Sequence, residues 1–196
     1  MYIAIEGIDT AGKSTQIEAL TNHFPEAIIT KEPGATEIGK EIRAMVLSAR
    51  AKSKKAEFLL FLADRAEHMS EVIQPNINTK MIISDRSAVS GVAYALIQGA
   101  ITKEELVSLN NFATNGIYPN KVFLLRLTKE ALEYRLSQKV LDGIELRGSE
   151  YLLQIQDAII EAANLLGLEL VEIDATQGRE SITQEILNNI NPKGIL

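Results

Sequence analysis

The segment Gly7-Ile-Asp-Thr-Ala-Gly12-Lys13-Ser14 has the residue types and spacing of G-x-x-x-x-G-K-[ST], a pattern suited to gripping a polyphosphate. Gly7 and Gly12 let the backbone N–H groups of Asp9, Thr10 and Ala11 turn inward around phosphate oxygens. A helix opening near Ser14 and Thr15 would aim its positive dipole end at the same point. Lys13 is placed to reach the β- and γ-phosphates, and the Ser14 hydroxyl to ligate Mg²⁺. A plain glycine-rich turn would not need the Lys-Ser pair. Further along, Asp85-Arg86 follows a short apolar run, at a strand end where α/β folds bind ligands. A guanidinium there can bridge donor and acceptor phosphates; the plainer reading is a surface arginine paired with a carboxylate. Asp85 either holds Mg²⁺ through water or fixes Arg86. Phe61 and Arg65 lie four apart, on one helical face. Such a ring and planar fork can stack on a pyrimidine and bond its carbonyl edge. The plainer reading is a core phenylalanine and an arginine paired with Asp64 or Glu67.

These residues need elements to position them. Strand-length apolar runs are Tyr2 to Glu6, Ala27 to Thr30, Met81 to Ser84, Val122 to Leu127 and Leu168 to Ile173. Helical patterns alternate with them: Ser14 to Phe24, Thr36 to Leu47, Ala56 to Ile73 closed by Pro75, and Ser87 to Gln98 ended by Gly99. The Thr102–Glu105 spacing predicts a capping box opening the next helix. Helices follow from about Lys129 to Gln138, Glu150 to Leu166 and Glu180 to Ile190, with a loop over Val140 to Gly148. Five strands alternating with helices imply an α/β fold, a parallel sheet covered on both faces. No linker or repeat interrupts 196 residues, so one domain spanning 1–196 is expected.

Composition narrows the chemistry. Twenty Lys plus Arg against 26 Asp plus Glu give a net charge of −6, which disfavours a general nucleic-acid or anionic-membrane binder. With no cysteine, disulfides, thiolate metal sites and a cysteine nucleophile are excluded. Two histidines make a zinc site a poor reading, and His23 and His68 are expected to be structural or solvated. No apolar run approaches the roughly 18 residues of a membrane span, and no leader is read, so a soluble cytoplasmic protein is expected. A phosphate loop alone does not name the acceptor, because the same loop serves GTPases, motors and switches. The absence of N-K-x-D lowers the GTPase reading.

Five ordered segments resemble the bacterial thymidylate kinase family of nucleoside monophosphate kinases. They are Glu6 to Thr15 (phosphate loop with its Asp9), Lys31-Glu32-Pro33-Gly34-Ala35-Thr36 with Arg43 downstream, Leu60 to His68 (LFLADRAEH), Asp85-Arg86-Ser87 with Ser90 and Tyr94, and Asp174-Ala-Thr-Gln177. The resemblance covers nearly the whole chain. It implies a P-loop NTPase-type fold with a short lid at about 140–148, and transfer of the γ-phosphoryl of ATP, with Mg²⁺, to dTMP. It implies that Phe61 stacks on thymine, Arg65 reads its O4, Asp9 meets the sugar 3′-hydroxyl and Arg43 the acceptor phosphate. It further implies that Tyr94 crowds the 2′ position, Ser90 lines the same pocket, and Glu32-Pro33 forms a tight loop beside the nucleotide. Pro33 allows a cis bond without requiring one. Gln177 would border adenine, with Arg135 among the cofactor contacts, and a homodimer is implied.

The chain also departs from that family. Thr10 stands where one class has a loop arginine, and Asp142-Gly143-Ile144-Glu145 replaces a D-R-I-E lid segment. Arg147, four residues downstream of Gly143, could supply the missing charge on closure or be a solvated lid residue; Lys139 and Arg135 are other sources. Ser87 replaces a tyrosine and Ala35 a glycine. Arg126, inside an apolar strand, has no reading from sequence. Two rivals remain: a kinase acting on another nucleotide or nucleoside, and a nucleotide-binding regulator that has lost turnover.

Overall fold

The computed structural model describes residues 1–48, 51–138, 140 and 145–190. The sheet has strands β1 (Tyr2–Glu6), β2 (Ile28–Lys31), β3 (Ile82–Asp85), β4 (Lys121–Arg126) and β5 (Leu170–Asp174), in the order β2-β3-β1-β4-β5. Every neighbouring pair is parallel. Parallel neighbours need long crossovers, and helices supply them. The helices are α1 (Lys13–His23), α2 (Glu37–Leu47), α3 (Lys54–His68), α4 (Gln74–Asn76), α5 (Ala88–Gln98), α6 (Lys103–Thr114), α7 (Lys129–Ser137), α8 (Ser149–Leu165) and α9 (Arg179–Ile190).

Burial follows strand position. All of β1 is buried, as are the apolar residues of β3 and the middle of β4, which form the core with α5 and α8. The edge strands are different: Ile29 of β2 is 42% exposed, and in β5 only Ile173 is fully buried. The expectation of apolar strands covered on both faces therefore holds for the central three. Register matters most at the carboxyl ends. Ile5 of β1 and Lys31 of β2 both pair with Asp85 of β3, so the loop after β1, the Lys31-Glu32 segment and Asp85-Arg86 emerge side by side. That edge is where an open parallel sheet presents its binding crevice.

Most boundaries fall within two residues of the sequence expectation. The capping box forms with both bonds present, Glu105 N–H to Thr102 Oγ1 and Thr102 N–H to Glu105 Oε2. Pro75, however, does not close α3. The chain passes through one wider π-helical turn, Met69–Ile73, and re-enters an α-helix at Gln74–Asn76 that contains Pro75. Proline is tolerated in a first helical turn, where its missing N–H is no loss. Met69 and Ile73 are buried with Tyr2 and Ile82, and that apolar contact keeps the helix running. Arg126 ends β4 in solvent-facing ion pairs with Glu172 of β5 (2.5 Å) and Asp157 of α8 (3.0 Å). In the expected lid, Glu145–Arg147 forms a short 3-10 turn. Lys139, Asp142, Gly143 and Ile144 lie outside the described residues.

Candidate functional site

The loop after β1 is shaped by three left-handed or extended positions. Gly7 has φ 149°, and a Cβ there would stand 3.0 Å from the Leu125 carbonyl, so only glycine fits. Thr10 (φ 69°) and Gly12 (φ 99°) turn the chain back, and Gly12 opens α1 with no side-chain cap. The first amides of α1 are therefore left for a ligand. Lys13 is 8% exposed, and its Nζ donates to the carbonyls of Gly7 (3.1 Å) and Ile8 (3.2 Å), 3.7 Å from Asp9 Oδ1. Burial, then the nearby Arg86 charge, lower its pKa to about 8.

At the end of β3, Arg86 sits at φ 68°, a left-handed conformation that costs a non-glycine residue about 1–3 kcal/mol. It is held there from several sides. Its N–H donates to the Ile5 carbonyl (3.0 Å), and its own carbonyl accepts from Ser84 Oγ (2.7 Å). Its NH1 donates to Ser90 Oγ (3.0 Å) and its NH2 to Asp9 Oδ1 (2.7 Å). Burial opposes its charge, but Tyr94, Asp9, Glu6 and Asp85 outweigh that and raise its pKa. Arg86 does pair with a carboxylate, as the plainer reading held, yet it does so inside the crevice. Beneath it lies Glu6, fully buried, accepting from Ser87 Oγ (2.8 Å) and Ser90 Oγ (2.5 Å). Burial raises the Glu6 pKa, against the pull of Arg86 and the two hydroxyls. Sequence reasoning gave Glu6 no role, because a lone acid closing an apolar strand carries no signal of what it will meet.

Two cavities adjoin here. One, of about 430 Å³, is lined by the loop residues Asp9, Thr10 and Gly12 to Thr15, with Lys31, Asp85 and others. The second, of about 290 Å³, is lined by Pro33, Phe61, Asp64, Arg65, Ser87, Ser90, Gly91 and Tyr94 among others. Asp9, Glu32, Arg43 and Arg86 line both. Phe61 is half-buried and faces this cavity, so it is not a core residue. Arg43 donates from NH1 to the Pro33 carbonyl (2.9 Å). The Glu32–Pro33 bond is cis.

Arg65 pairs with neither Asp64 nor Glu67. Its Nε donates to Glu32 Oε2 (2.9 Å) and its NH1 to Asn110 Oδ1 (2.8 Å). Glu32 shares its other oxygen with His68 Nδ1 (3.0 Å), and His68 Nε2 meets Thr30 Oγ1 (2.7 Å). His68 is thus structural, and His23 is solvent-facing. Burial works to raise the Glu32 pKa, but Arg65 and His68 win and lower it. Asp64 accepts from the Gly34 N–H (2.9 Å), and burial raises its pKa to about 6.

Five expected site residues do not line either cavity: Gly7 and Ala11, which shape the phosphate loop from behind, and Arg135, Gln177 and Arg147. Arg135 donates from NH1 to the Thr10 carbonyl (2.8 Å) and from NH2 to the Ala175 carbonyl (2.6 Å), tying the phosphate loop to the turn after β5. Gln177 is exposed in that turn. Arg147 is exposed, 4.9 Å above the Tyr151 ring, and donates to its hydroxyl (2.9 Å).

The family model for thymidylate kinase matches residues 5–186. The chain belongs to the thymidylate kinase family. It is 73% identical over 191 residues to the thymidylate kinase of Sulfurimonas denitrificans, covering 97% of this chain and all of that one. Against the thymidylate kinase of Sulfurovum sp. it is 51% identical over 187 residues, 95% of this chain and 97% of the other. The Helicobacter hepaticus thymidylate kinase is 43% identical over 97% of this chain and 98% of its own length. The crystal structure of thymidylate kinase from Ehrlichia chaffeensis superposes with a TM-score of 0.75 over 97% of each chain, at 23% identity, which bears on the fold. Within the thymidylate kinase fold the two cavities are positioned by the carboxyl ends of β1, β2 and β3 and by helices α1, α2, α3 and α5.

Proposed function

We propose that this chain transfers the γ-phosphoryl group of ATP to dTMP, giving dTDP. The observation that carries this reading is the junction of the two cavities at Arg86. A polyphosphate in the loop cavity and a nucleoside monophosphate in the other would bring their phosphates together beside that guanidinium. The acceptor phosphate oxygen is anionic at neutral pH, so the reaction needs positioning and charge neutralisation rather than a strong base. Lys13 neutralises the donor phosphates. Arg86, fixed by Asp9 and Ser90, faces charge developing between donor and acceptor, and Arg43 grips the acceptor phosphate. Phe61 stacks on the base, Arg65 reads its carbonyl edge, Asp9 meets the sugar, and Tyr94 crowds the 2′ position.

Mg²⁺ suits the oxygens present. Asp85 Oδ1 is buried with no hydrogen-bond partner, and the Ser14 hydroxyl lines the same cavity. Among the described residues no cluster of three or more His, Asp or Glu side chains could cage a metal by itself. Mg²⁺ is commonly held by one or two protein oxygens plus substrate phosphates. Bound there, it would neutralise phosphate charge; Ser14 and Asp85 would hold it.

The unit acts as one kinase domain over 1–196, with a lid at about 140–148 from which Arg147 reaches the phosphates, and with Gln177 and Arg135 on the adenine side. A homodimer is part of the reading: Leu59 of α3 and Phe112 of α6 are 55% and 83% exposed, surface a second copy would cover. Among the described residues no helix is long and apolar enough to cross a membrane, which accords with a cytoplasmic setting. ADP release with ATP, Mg²⁺ and each monophosphate in turn tests the proposal. Release with dTMP and little with CMP, UMP, AMP or GMP is expected. Binding of dTMP and ATP without dTDP formation would favour the regulator.

A further inference from the structure

Arg65 is a charged side chain only 2% exposed that lines a cavity. Two of its three nitrogens are spent, Nε on Glu32 and NH1 on Asn110. Both partners are themselves fixed. Glu32 is anchored through His68 to Thr30, and Asn110 donates from Nδ2 to the Leu106 carbonyl (2.7 Å). The third nitrogen, NH2, lies over Gly91 of α5, where a Cβ would stand 2.9 Å away. An arginine at the end of a free stem would swing aside from such a contact. This one can move only by giving up a buried hydrogen bond.

We propose that Asn110 and Gly91 set the base selectivity of this enzyme, Asn110 as a positioning residue and Gly91 as the clearance that leaves Arg65 NH2 facing the base. The inference rests on the dTMP reading above. A guanidinium only donates. A 4-oxo pyrimidine accepts from it, whereas a 4-amino group sets donor against donor. That conflict rejects the wrong base only if the arginine cannot pivot away. Selectivity therefore resides in the immobility of Arg65, and the residues that immobilise it share the role. Sites built around a fixed hydrogen bond discriminate far more strongly than apolar pockets do.

The test compares dTMP with 5-methyl-dCMP, which keeps the methyl group and exchanges the base edge. In Gly91→Ala the ratio of kcat/KM for dTMP over 5-methyl-dCMP should fall about tenfold or more. The loss should be carried by the KM for the monophosphate, with the KM for ATP unmoved. Asn110→Leu should shift the ratio in the same direction. Alanine is favoured over glycine inside a helix, so Gly91→Ala decides the matter even if Asn110→Leu fails to fold. An unchanged ratio in a folded Gly91→Ala enzyme, with wild type active on dTMP, would overturn this inference alone. A wild type inactive on dTMP would overturn it together with the reading beneath it.

Discussion

At the phosphate end of the site, the grip comes from backbone: Gly7, Thr10 and Gly12 set the curve, α1 supplies its first amides, and Lys13 and Arg86 supply charge. At the base end, it comes from side chains of distant elements, with Arg65 of α3 held by Glu32 after β2 and by Asn110 of α6. The difference sets what each region tolerates. A loop built on glycine conformation depends on a few neighbouring positions. A pocket built on converging side chains depends on residues that never touch the substrate.

The sharpest way to break the comparison is at the phosphate end. Lys13→Ala should lower kcat by about 10³-fold or more while the melting temperature holds. Activity near wild type in ADP-release assays would remove the loop from the reaction. At the base end, Phe61→Ala should weaken dTMP binding by about 10- to 100-fold, the worth of a base–aromatic stack, and leave ATP binding alone. Equal losses for both ligands by calorimetry would return Phe61 to the core.

A pH profile separates the two ends next. Lys13 has a pKa of about 8, below the ordinary 10.5, so its ammonium predominates at neutral pH and is lost as pH rises through 8. For the free enzyme, kcat/KM for ATP should fall about tenfold per pH unit above that point, the slope of a single deprotonation. Phosphates beside Lys13 favour its charged form, so the limb in kcat should lie higher. Coincident limbs would assign the transition to another group. For stability the sign is opposite: an unfolded chain holds this proton more readily, so Lys13 contributes increasing stability between pH 8 and 10.5.

Arg147→Ala should lower kcat several-fold, less than Lys13→Ala, because lid arginines commonly act on transition-state charge. An unaltered kcat would leave Arg147 as a partner of Tyr151 only. The smallest effect lies away from both ends. Thr102→Ala removes the capping box of α6 and should cost about 1 kcal/mol, a melting shift of about 2–4 °C for a chain this size. A larger fall, or altered base selectivity, would mean that α6 transmits its stability to Asn110.

The same contrast explains what was legible in the sequence. Gly7, Gly12, Lys13 and Ser14 lie within eight residues, and their spacing encodes a local backbone shape. Strand and helix order followed from apolar periodicity, since buried central strands and amphipathic helices must alternate that way. The partners of Arg65 were hidden, because Glu32 and Asn110 lie 33 and 45 residues away and only the packing of α3 between them creates the contact. Glu6 and the third nitrogen of Arg65 over Gly91 were equally silent. Pro75 misled because its breaking effect is local, whereas the buried Met69 and Ile73 act through tertiary contact.

Asp9, Glu32, Arg43 and Arg86 belong to both cavities, so no wall of protein divides them. A single inhibitor carrying a pyrimidine nucleoside at one end and a polyphosphate chain at the other could occupy both at once. Binding either end would hold its tether-mate at high effective concentration beside the second cavity, so the joined compound would gain avidity that the two halves supplied as separate molecules lack.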